Sequence, residues 1–151
     1  QNSVNWYFQA IDSQLGINRV QEFLNKIEYG NQTTSSNLDL YWSDFSLKIS
    51  PLEQVTLLKK FNTNEFHLNF QNVFSVKNAI KIASTPNGNF YGKTGTGRVN
   101  GQDINGWFIG YVETSDNSYY FATNIQSDSN ATGKKAFEIT SDILKKLHIW
   151  N

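Results

Sequence analysis

The feature that most constrains this chain is a change of apolar period at Pro86-Asn87-Gly88-Asn89. Upstream of that turn apolar residues recur at helical spacing; downstream, aromatic and β-branched runs alternate with Gly, Asn, Asp and Ser. Val20, Phe23, Leu24 and Ile27 fall at i, i+3, i+4 and i+7, which predicts an amphipathic helix from Asn18, with Gly30 as its C′ residue. Val4, Trp6, Tyr7, Phe8 and Ile11 predict a helix over 3–14, stopped near Gly16. The stretch 31–40, rich in Asn, Ser and Thr, reads as a polar surface loop. Ser50-Pro51-Leu52-Glu53 is a capping box opening a helix that carries Val55, Leu58 and Phe61. Phe70, Val73, Phe74, Lys77 and Ile80 predict another, which the Pro86 turn ends. Residues 90–94, 107–112 and 119–125 then predict three antiparallel strands. Ala136, Phe137, Thr140, Ile143, Leu144 and Leu147 predict a last helix covering one face of their sheet. The expected class is α+β.

Composition narrows the function. The 151 residues suffice for one domain or less, and 13 basic residues balance 13 acidic ones, so no electrostatic footprint for nucleic acid or an anionic membrane exists. Cysteine is absent, which excludes disulfides, thiolate metal sites and a cysteine nucleophile. His67 and His148, the two imidazoles, stand in no ligand-spaced pair, read most simply as surface residues, and suggest neither a metal site nor a Ser-His-Asp triad. No apolar run approaches the roughly 18 residues of a membrane span. The chain opens on Gln inside a helical pattern, and we expect it to be part of a longer polypeptide.

Lys93-Thr94-Gly95, followed by Thr96-Gly97, closes the first strand pattern and is the centre of the functional reading. A fixed cation beside hydroxyl donors suits a ligand carboxylate. Gly95 lets a strand backbone run close to a ligand, and the free amides of an edge strand can pair with an extended group. Other motifs accompany it in order: Ser3-Val4-Asn5, Tyr29-Gly30-Asn31, Tyr41-Trp42 before Leu47-Lys48-Ile49-Ser50, and Gly106-Trp107-Phe108-Ile109-Gly110. Each has a plainer reading. Ser3 and Asn5 suit an N-cap region, Trp42 and Trp107 a core, and Lys48 a loop.

Taken together, these motifs resemble the second half of the class D β-lactamases over essentially the whole chain, and with them the penicillin-binding sensor domains of membrane β-lactam sensor-transducers. The resemblance implies the C-terminal part of the serine β-lactamase/penicillin-binding transpeptidase fold. It implies that Ser3 relays a proton to the leaving β-lactam nitrogen, that Lys93 assists electrostatically, and that Thr94 and Thr96 hold the substrate carboxylate beside Gly95. The Thr96 amide would form half of an oxyanion hole, and the Trp42 indole would steady a carboxylated lysine of an upstream S-x-x-K motif. Tyr29-Gly30-Asn31 would be scaffold.

Two departures sharpen the expectation. Asn5 stands where class D hydrolases usually carry an apolar residue, which resembles the sensors; an amide there favours an uncarboxylated lysine and leaves the deacylating water without a base. The stretch 124–130 lacks the arginine that many class D hydrolases use for the carboxylate. No Ser-x-x-Lys in the chain is placed to serve as nucleophile, so acylation is expected on an upstream serine in the N-terminal part of the same domain. The expected function is a β-lactam acceptor of negligible turnover that signals antibiotic to resistance genes, on the extracellular face of a membrane and tethered by a segment outside these residues. The alternatives are a secreted or periplasmic class D hydrolase and a non-catalytic binding fragment. The expected partners are β-lactam antibiotics and no nucleic acid; no cofactor is expected beyond the possible lysine carbamate.

Overall fold

The computed structural model describes residues 3–34, 41–42 and 45–151. In order it contains α1 (Asn5–Leu15), α2 (Ile17–Lys26), α3 (Pro51–Asn62), α4 (Phe70–Ile80), β1 (Lys81–Thr85), β2 (Gly88–Val99), β3 (Gln102–Thr114), β4 (Ser118–Gln126) and α5 (Gly133–Lys146). The chain divides into two compact units, Gln1–Leu57 and Leu58–Asn151. Most of the polar loop expected over 31–40 lies outside the described residues.

In the first unit Val20 and Leu24 of α2 pack with Tyr41 into a small apolar cluster flanked by Tyr29, Trp42 and Leu47. Burial and a hydrogen bond to Asp12 push the Tyr41 phenol up to about 12. α2 ends earlier than expected. Glu28 takes the left-handed conformation (φ 54°), its amide reaches Asn25 O, and the Tyr29 amide reaches Leu24 O at 3.0 Å, a Schellman closure with Glu28 at C′. Gly30 is glycine for another reason, since a Cβ there would stand 1.9 Å from the Lys48 carbonyl oxygen. α1 forms as expected but buries none of its residues, and Trp6 is 70% exposed. The capping box is present: the Ser50 amide donates to Glu53 Oε2 at 2.8 Å and the Glu53 amide to Ser50 Oγ at 3.3 Å.

The second unit is built on an antiparallel sheet in the order β1-β2-β3-β4. Four strands replace the expected three, because Lys81–Thr85 leaves the helical course after Ile80 and pairs with Gly88–Tyr91. The Pro86 turn therefore closes a β-hairpin rather than a helix. β2 and β3 also outrun their aromatic segments, meeting at Asn100-Gly101, whose φ values of 49° and 78° are both positive, as a two-residue hairpin with right-handed strand twist requires.

One face of the sheet carries Phe90, Phe108 and Val112, which α5 covers with Ala136 and Leu144. Phe108 is 1% exposed, and its ring meets Phe121 at 5.1 Å and Phe137 at 5.0 Å. Ile143 and Leu147, expected on the covered face of α5, lie at its margin and are exposed. The other face carries Tyr91, Tyr111 and Tyr120, with Tyr91 and Tyr111 stacked at 4.7 Å. Asn62 joins this face by donating to Tyr120 Oη at 2.8 Å and Glu113 Oε1 at 3.2 Å, and Lys77 lies 3.6 Å from the same carboxylate. Burial first, and the Glu113 charge second, push the Tyr111 phenol far above its ordinary range.

Candidate functional site

β2 is the second strand of its sheet, yet the Lys93–Thr96 stretch behaves as an edge. β1 reaches only as far as Tyr91, and from Gly92 to Val99 the strand pairing among the described residues is with β3 alone. Phe90 and Phe108 hold the strand from beneath, so the stretch is anchored by a packed aromatic core.

Lys93 is half-buried, and its Nζ donates to the Thr94 carbonyl at 2.7 Å. Burial lowers the ammonium's pKa, because desolvation disfavours the charged form. Thr94, Gly95 and Thr96 are exposed. A Cβ on Gly95 would meet only Trp107 Cβ, at 3.7 Å, which is ordinary contact. Packing within the chain therefore does not require glycine at that position.

The start of α5 joins this stretch, which the sequence reading missed. Thr132 is the N-cap and accepts from the Lys135 amide at 3.1 Å, while the Gly133 amide donates to Thr96 Oγ1 at 2.9 Å. The sheet and helix approach closely because of glycines on both: a Cβ on Gly106 of β3 would lie 2.4 Å from Thr132 O, and one on Gly133 would lie 2.6 Å from Gly95 O of β2. Thr132 followed by a helical run was the available signal, but a cap says nothing about what the helix end abuts.

Ser3, Asn5 and Trp42 belong to the first unit. Ser3 has a left-handed backbone (φ 48°), and Asn5 is the first residue of α1. The N-cap position is held by Val4, with no side-chain capping bond. Trp42 flanks the Val20–Leu24–Tyr41 cluster, and its buried Nε1 has no hydrogen-bond partner among the described residues. An indole N–H in that state favours an acceptor.

Tyr29-Gly30-Asn31 holds the segment after Trp42. Asn31 Nδ2 donates to Ser46 O at 2.7 Å, Asn31 Oδ1 accepts from the Lys48 amide at 2.9 Å, and the Asn31 amide donates to Lys48 O at 2.9 Å. Gly30 admits the Lys48 backbone, and Tyr29 Oη donates to Gln54 Oε1 at 3.3 Å. The motif acts as scaffold. Lys48 contributes backbone bonds to it, in keeping with a loop lysine.

Comparisons with known proteins agree with this geometry. Residues 1–145 match the penicillin binding protein transpeptidase domain. The methicillin resistance mecR1 protein of Staphylococcus aureus strain Mu50 is 44% identical over 97% of this chain, and the regulatory protein BlaR1 of Bacillus licheniformis is 46% identical over 99%. The chain spans 25% of the length of each of these relatives. Among solved structures, the C-terminal domain of the Bacillus licheniformis BlaR penicillin-receptor superposes with a TM-score of 0.93 at 46% identity, covering 99% of this chain and 60% of that one. A class D β-lactamase from Bacillus subtilis superposes with a TM-score of 0.90 at 37% identity, covering 99% and 60%. With its α+β architecture and its Lys-Thr-Gly-Thr strand, the chain belongs to the penicillin-binding protein transpeptidase domain family.

Proposed function

We propose that this chain forms one wall of a β-lactam acylation site in a sensor domain that reports the antibiotic and thereby induces resistance. The observation that carries the reading is the Lys93–Thr96 stretch, which combines a part-desolvated ammonium with two exposed threonines and, among the described residues, strand pairing with β3 alone. A β-lactam offers a carboxylate for the hydroxyls and an acylamino group for the strand. Gly95 supports the reading, since the chain's own packing does not demand glycine there.

In this reading an upstream serine takes the acyl group, Ser3 passes a proton to the departing nitrogen, and Lys93 steadies the developing charge. Trp42 offers its buried indole N–H to an acceptor. Asn5 hydrogen-bonds the nucleophile-motif lysine and keeps it uncarboxylated, so the acyl adduct outlives the signal it must send. The domain faces the exterior, joined to a membrane segment outside these residues. The name of the BlaR1 relative supports a regulatory role and that of the mecR1 relative a link to resistance, while the class D structures keep hydrolysis as the second reading.

A chromogenic β-lactam mixed with the whole domain separates the two. We expect one stoichiometric burst followed by a plateau, and Asn5→Val should speed release of the acyl group. Continuous turnover by the unmodified domain would rule out the sensor.

A further inference from the structure

Thr96 carries an exposed hydroxyl whose oxygen accepts from the Gly133 amide at 2.9 Å. A hydroxyl has one hydrogen and two lone pairs. With one lone pair engaged, its hydrogen is left for an acceptor beside β2, and accepting an amide bond makes it a stronger donor. That amide lies at the positive end of a 14-residue helix, which strengthens the polarisation.

The bond depends on residue 133 being glycine. A Cβ there would stand 2.6 Å from Gly95 O, 3.0 Å from Gly95 N and 2.9 Å from Thr94 Cβ. Two of these obstacles are backbone and the third is the branch point of a β-branched side chain, so no rotamer change relieves them. A larger residue must push the helix start away from β2 and lengthen the contact with Thr96.

We propose that Gly133 is a positioning residue for recognition of the ligand's anionic group: its amide fixes the Thr96 hydroxyl as a donor toward that anion. The proposal rests on the acylation reading above and adds to it a residue outside the strand. Gly133 touches no ligand itself; it acts through Thr96.

The test compares acylation of the whole domain by a penicillin and by the methyl ester of the same penicillin, which lacks the negative charge. Gly133→Ala should slow acylation by the acid about tenfold or more and by the ester less than twofold. Thr96→Val should give the same pattern, Thr96→Ser should restore the acid-to-ester ratio, and Gly133→Ala added to Thr96→Val should leave the ratio unchanged. Equal slowing of acid and ester by Gly133→Ala, or an independent loss in the Thr96→Val background, overturns the positioning role alone. An unmodified domain that neither compound acylates overturns the acylation reading along with it. Amide exchange supplies a readout that does not need the Gly133 variant to fold: the Gly133 N–H should exchange at least tenfold faster in Thr96→Val than in the unmodified domain. Unchanged exchange overturns the proposal.

Discussion

Lys93 and Thr96 stand on a strand whose neighbours Phe90 and Phe108 are locked into an aromatic core, whereas Trp42 precedes a segment whose backbone is held by hydrogen bonds to Asn31 and Tyr41. The second unit positions its Lys93–Thr96 stretch by packing, where displacement exposes apolar area and opens cavities. The first unit positions the segment after Trp42 by hydrogen bonds between short segments, where one lost partner frees several backbone groups at once. One chain thus uses two sources of rigidity. They differ in how a single substitution is felt.

Phe108→Ala should show the largest effect. The ring is almost wholly buried against Phe90, Phe121 and Phe137, and its loss should cost about 3–5 kcal/mol, read as a fall in the denaturant midpoint. A cost below about 1 kcal/mol would mean that the sheet face is not the stabilising core.

Asn31→Ala should cost less, roughly 1–3 kcal/mol, and act locally. It removes the side-chain bonds to Ser46 and Lys48, so the Lys48 amide should exchange faster while amides of β3 keep their protection. Equal acceleration in β3 would break the comparison, because rigidity would then be shared.

The smallest effect concerns a device common to both units. Glu28 ends α2 and His148 ends α5 in the same left-handed C′ geometry, with φ 54° and 55°, and the amide two places after each cap reaches back, Tyr29 to Leu24 O and Ile149 to Leu144 O. Glu28→Gly and His148→Gly should each raise stability by up to about 1 kcal/mol, since glycine bears that conformation without steric cost. Thermal unfolding of the two variants checks it; a loss in either would show that its side chain contributes more than the strain removes.

Features decided within a few residues were legible in the sequence. The Ser50–Glu53 capping box needs only its own tetrapeptide, and α2 announces itself through the spacing of Val20 and Leu24. The Lys-Thr-Gly-Thr stretch stood out in the sequence, because the glycines beside its cation and hydroxyls make poor strand filler. Features decided by distant partners were not. β1 is a short, polar strand whose existence depends on pairing with Gly88–Tyr91, so the helical period of α4 overran it. Gly30 was assigned to the helix end that Glu28 fills, because its true obstacle is the Lys48 backbone. Gly133 gave no sign of its bond to Thr96, which is 37 residues away in the chain. Ile143 and Leu147 follow the apolar stripe of α5 and yet stay exposed.

The residues after α5 also bear on how this protein tolerates damage. His148 reverses the backbone, so that Trp150 returns to lie 5.4 Å from the Phe90 ring while Ile149 joins the same cluster. A stop codon or a trimming protease acting just past Leu147 would therefore strip a panel from the middle of the molecule, and the injury would register as unfolding rather than as a shortened tail.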